Sequence, residues 1–141
     1  MNLLVDAHCF DYNTSEGVNS YIRGLYSELI IIAKDIHFYI VAANIAKVKK
    51  EFGEHENVTY IPLTSKNKIY RLLIEFPNII KRNGIDVAHF QYTSPLIKNC
   101  RTIVTLHDIL FKDFPSMFPL GYRLSKGIRF SQTSRLAIDR V

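Results

Sequence analysis

Cysteine is scarce in this chain. Cys9 and Cys100 are the only two, they lie far apart, and no CxxC pair occurs. That spacing excludes a zinc ribbon and reads as the reduced cysteine of a cytoplasmic protein. Long apolar runs are also missing: none approaches the ~20 residues of a membrane span. The longest candidate, Leu25–Ala33, is interrupted by Ser27 and Glu28. The opening stretch MNLLVDAHCF has no basic segment ahead of its short apolar run, so it does not read as a signal peptide. No low-complexity tract, internal repeat or linker divides the sequence, and one domain is expected. No arginine-rich run alternates with aromatics, which argues against nucleic acid as a partner.

What is present fits a globular domain. The chain has 141 residues, 48% of them hydrophobic and 22% charged, enough apolar material for a core. The formal net charge of +5 suits phosphorylated ligands or an anionic membrane surface. Lys47, Lys49, Lys50, Lys66, Lys68 and Arg71 read mostly as a solvated helix face, with a lipid surface or lipid-linked acceptor as the other reading. The 8 tyrosines and 9 phenylalanines fall mainly on periodic positions and read as packing.

The pattern alternates strand and helix. Asn2–Asp6, Ile36–Ala42, Val58–Pro62, Ile85–Phe90 and Arg101–Leu106 are short apolar runs of the kind buried on both faces of a parallel sheet. Between them, a helix from Val18 buries Ile22, Leu25, Tyr26, Leu29, Ile30 and Ala33. A shorter helix covers Ala46–Phe52 and stops at Gly53. A third, over Lys68–Arg82, is expected to bury Ile69, Leu72, Leu73, Phe76 and Ile80 and to kink or break at Pro77. Weaker helical periodicity runs through Leu120–Arg140. The sum is an α/β fold, a doubly wound parallel sheet with helices on both faces and strand order 3-2-1-4-5.

In that order the strands ending near His8, His89 and His107 are neighbours, and ligands of such sheets bind beyond the carboxyl ends of the strands. Three roles are open to this cluster together with Asp108. It could bind a divalent metal, although no short-range motif such as HExxH is present. It could perform general acid–base work, although adjacent strand residues point to opposite faces, so Asp108 need not touch His107. Alternatively, His107 could donate a hydrogen bond to a sugar hydroxyl or a phosphate, the role favoured here. Gly17 opens the first long helix, whose N-terminal N–H groups attract anions. Its lack of a Cβ either admits a ligand or serves an ordinary strand-to-helix turn.

Three stretches together resemble a known family. SEGVNSYIRGLYSEL, IDVAHFQYTSPL and above all TIVTLHDILFKDFPSMFP are similar to the N-terminal half of GT-B glycosyltransferases, specifically the family-4 retaining enzymes of bacterial mannosyl- and glucosyltransferase type. The resemblance implies a Rossmann-like, acceptor-side domain facing a separate donor-binding half. The whole enzyme would move a hexose from a UDP- or GDP-linked sugar to a glycan or lipid-linked acceptor, in cell-surface polysaccharide synthesis. It implies no metal or other cofactor; the reduced cysteines give the expected cytoplasmic location, and the basic residues are what would make peripheral contact with the inner membrane face.

Residue by residue, the resemblance makes His107 the catalytic-site histidine that reaches the transferred sugar. Gly17, with Val18 and Asn19, would turn N–H groups toward the donor phosphates, and His89 and Asp108 would border the substrate. Many relatives carry two adjacent glycines in the first loop, where this chain has Ser15-Glu16 before a single Gly17. The donor-binding half has no counterpart within these residues, so the chain alone is not expected to transfer sugar. The alternative is a stand-alone flavodoxin-like module that binds a nucleotide or partner without catalysis.

Overall fold

The computed structural model describes residues 1–12, 16–107, 115–117 and 119. Five parallel strands, β1 (Asn2–Asp6), β2 (His37–Ala42), β3 (Val58–Pro62), β4 (Val87–Gln91) and β5 (Arg101–Thr105), form one sheet in the order β3-β2-β1-β4-β5. This is the doubly wound order that the alternating pattern predicts. Register is continuous through the centre: Leu4 pairs with Tyr39 of β2 on one side and Ala88 of β4 on the other.

Side chains alternate across the sheet and build two cores. Leu3, Val5, Phe38 and Ile40 pack beneath Ile22, Tyr26 and Ile30 of α1 (Glu16–Ile32) and Val48 and Phe52 of α2 (Ile45–Phe52). On the other face Leu4, Val41, Ala88 and Phe90 meet Phe76, Ile79 and Ile80 of a second helical layer. Helix α2 starts where Asn44 accepts the Lys47 N–H at 3.1 Å. It ends at Gly53, whose φ of 75° a side chain would resist. After β1 the chain makes a 3-10 turn, His8–Asp11, tied to the end of β2 by Asp11, whose carboxylate accepts from Ala43 and Asn44 N–H at 3.0 and 2.8 Å.

The second layer departs from its sequence pattern. It runs as α3 (Lys68–Tyr70), a π-helical turn (Arg71–Glu75) and α4 (Phe76–Arg82). Pro77 has no N–H, and its ring would press on the carbonyl four residues back. The disruption is taken up just before the proline, where Phe76 N–H reaches Arg71 O, five residues away. The wider turn shifts the phase of the buried face. Phe76 and Ile80 are buried and Leu72 half-buried, but Ile69 and Leu73, expected inside, are exposed. Arg71, expected on a solvated face, is instead 7% exposed. Helix α1 begins at Glu16 rather than Val18, so Gly17 lies inside its first turn. The helical reading of Leu120–Arg140 and the site residue Asp108 lie outside the described residues.

Candidate functional site

The carboxyl edge of β1, β4 and β5 gathers the chemistry of the chain. His89 on β4 is 3% exposed. Its Nδ1 lies 2.6 Å from the Tyr26 hydroxyl of α1 and its Nε2 2.7 Å from Thr105 Oγ1 at the end of β5. Gln91, two residues along β4, turns its amide nitrogen toward His89 Nε2 at 3.4 Å, while its Oε1 lies 2.6 Å from His107 Nε2.

These contacts assign the protons. An amide nitrogen only donates, so His89 Nε2 accepts and its proton sits on Nδ1, donated to the Tyr26 oxygen. An amide oxygen only accepts, so His107 donates from Nε2 to Gln91. Burial holds the His89 pKa below its usual value. The nearby Asp6 carboxylate acts against that shift and the His107 charge adds to it, which fits a neutral ring. The His107 ring is also flanked by Tyr21 and Tyr92, with centroids at 5.1 and 5.3 Å.

Beside this network, Gln91 also lines a cleft of about 160 Å³ shared with Asp6, His8, Val18, Arg71 and Thr93. His8 Nδ1 donates to Asp6 Oδ1 at 2.7 Å. Burial works against the charged form of His8, but the Asp6 carboxylate outweighs it and the pKa is raised. Cys9 on the same wall has its thiol pushed up to about 12, chiefly by burial and then by Asp6, so it is an inert thiol rather than a nucleophile. A larger hollow of about 750 Å³ lies at the opposite, amino-terminal edge, between Met1, His37 and His55. It lacks the strand-end placement that concentrates ligand chemistry in such sheets.

The structure therefore brings His8, His89 and His107 to neighbouring strand ends, in unlike positions. His8 faces the cleft, His89 is sealed between Tyr26 and Thr105, and His107 hangs on Gln91. Among the described residues no group of three His, Cys, Asp or Glu side chains converges at metal-ligating spacing. At the first turn of α1, Val18 lines the cleft, and Asn19 Oδ1 is buried without a partner. Gly17 does not have a positive φ, which removes the turn-dihedral reading. An added Cβ would meet nothing within 4 Å, so the space above it is open.

Sequence reasoning missed Gln91, Thr93, Tyr26 and Arg71. Gln91 had a signal, two residues beyond His89 on the same face of β4. Arg71 had none, because its burial follows from the π turn. The chain matches no protein-family model, no curated protein and no solved structure.

Proposed function

We propose that this chain is the acceptor-side half of a retaining, GT-B type glycosyltransferase of family 4. The whole enzyme moves a hexose from a UDP- or GDP-linked sugar to a glycan or lipid-linked acceptor of cell-surface polysaccharide. The observation that carries the reading is a crevice at the carboxyl edge of a 3-2-1-4-5 sheet. Val18 of the first turn of α1 lines it, and so does Gln91, whose Oε1 holds His107 Nε2 at 2.6 Å beside it.

In that reading the N-terminal N–H groups of α1, at Gly17, Val18 and Asn19, meet the charge of the departing nucleoside diphosphate. His107, held between two tyrosine rings with its Nε2–H given to Gln91, meets the transferred sugar through the ring edge that carries Nδ1. His89 keeps Gln91 and Thr105 in register behind it, so its part is positioning. Peripheral membrane contact is supported by Ile69, Tyr70 and Ile74, which are exposed beside Lys66.

The test follows release of nucleoside diphosphate from UDP- and GDP-sugars by the product of the whole reading frame and by this chain alone. Release by the whole product only is expected. His107→Ala in that product should lower turnover by about 10²–10³-fold, the usual cost of losing one positioned hydrogen-bonding group at the reacting centre. Its melting temperature should stay close to that of the parent. Unchanged turnover removes His107 from the site, and no release with any donor or acceptor favours a binding module.

A further inference from the structure

Two residues that line the cleft at the carboxyl edge of β1 and β4 each carry a buried polar atom for which the protein supplies no partner. Arg71 is 7% exposed, yet its Nε makes no hydrogen bond, and no carboxylate pairs with it among the described residues. Thr93 Oγ1 is also buried and unpartnered. Both residues line the same cleft.

A buried, unpaired guanidinium is unfavourable, and natural proteins leave few such groups without a reason. The obvious neutraliser, Glu75, makes no ion pair with it, and its Oε2 is likewise buried without a partner. Its Oε1 accepts from the backbone N–H and, at 2.8 Å, the hydroxyl of Thr64. On a regular helix, residues four apart stack and could pair, but the π turn over Arg71–Glu75 changes that phase. The other carboxylate in the cleft, Asp6, is already engaged by the ring and the backbone N–H of His8. Lys68 on the wall adds a second basic group. Thr93 follows Tyr92, whose φ of 62° is rare for a side-chain-bearing residue and turns the chain sharply at the end of β4.

We infer that Arg71 and Thr93 form a binding site for a phosphate monoester, with the phosphoryl group in the cleft and the rest of the ligand outside it. A guanidinium N–H and a hydroxyl are the donors that phosphate oxygens take. A cleft of about 160 Å³ is smaller than the ~300–1,000 Å³ of sites that enclose a whole drug-sized ligand, and it suits a head group. The site stands on these atoms alone and does not require the sugar-transfer reading.

The test is phosphorus NMR titration of the 141-residue chain with inorganic phosphate and glucose 1-phosphate, and co-sedimentation with phosphatidylcholine vesicles containing phosphatidic acid. Saturable binding to at least one probe is expected. Glucose 1-phosphate identifies a soluble ester, and binding to the vesicles alone identifies a lipid-borne one. Arg71→Met should weaken binding about tenfold or more, the scale of a lost charge-assisted contact. It should melt at or above the parent, because it removes an unpaired buried charge. Arg71→Lys should restore part of the affinity, and Thr93→Val should lower it about threefold. Absence of saturable binding to all three probes overturns the proposal, as does unchanged binding by Arg71→Met. Should Arg71→Met not fold, unchanged binding by Thr93→Val overturns it instead.

Discussion

His89 and His107 begin from similar sequence, each near the end of a β-rich run, and are put to different use by what surrounds them. His89 donates from Nδ1 to Tyr26 and accepts at Nε2, so it is spent inside the protein. His107 meets the interior at Gln91 and at the rings of Tyr21 and Tyr92. Tyr26→Phe tests the inner half of this arrangement. Tyr26 is 2% exposed, and the change leaves the His89 Nδ1–H buried without an acceptor. Stability should fall by about 1–3 kcal/mol, the cost of an unsatisfied buried donor. Denaturant unfolding measures it, and a loss well under 1 kcal/mol would mean that the Tyr26–His89 contact adds little to the fold. At this scale the sequence allowed the histidines to be found, since strand ends are visible in it. It did not reveal which would be sealed, because that depends on Tyr26 arriving from a helix more than sixty residues earlier in the chain.

The elements show the same division. Strand positions followed from apolar runs with turn residues between them, and Val58–Pro62 and Asn2–Asp6 keep the bounds that pattern implies. The third helical segment did not, because periodicity assumes one helical pitch and the π turn before Pro77 breaks it. That single element exposes Ile69 and buries Arg71. Helix α1 starting at Glu16 has a sharper consequence. Gly17 now occupies a helical position where glycine costs about 0.5–1 kcal/mol relative to alanine. A Cβ there would meet nothing within 4 Å. Gly17→Ala should therefore stabilise the fold by about that amount, read as a higher denaturation midpoint. If a donor phosphate approaches this turn, the same variant should lower the rate of nucleotide release in the whole enzyme. A stabilised variant with unchanged release would mean that the open space above Gly17 is not used by the ligand.

For the whole molecule, sheet order was legible because right-handed crossovers and the alternating pattern leave few topologies, and β3-β2-β1-β4-β5 is among the commonest. The same order sets the molecule's response to pH, because it places two histidines with opposite shifts at neighbouring strand ends, His8 just beyond β1 and His89 on β4. Burial opposes the charged form of His8, but Asp6 overrides it, so the folded pKa lies above 6.5. The stability His8 contributes is complete below 6.5 and is lost as pH rises through its folded value. Burial leads the downward shift of His89, against Asp6, so its folded pKa lies below 6.5. Its contribution is complete above 6.5 and is lost as pH falls through the lower value. Stability should therefore pass through a maximum near pH 6.5, with limbs owned by different residues. Melting temperatures measured across pH 5 to 8 check this, in the range where histidine is the main titrating side chain. His8→Asn should flatten the alkaline limb and leave the acid limb. His89→Gln should do the reverse, with a lower maximum because Tyr26 and Thr105 lose their partner. A profile that only rises or only falls across this range would show that one of the two shifts has the wrong sign.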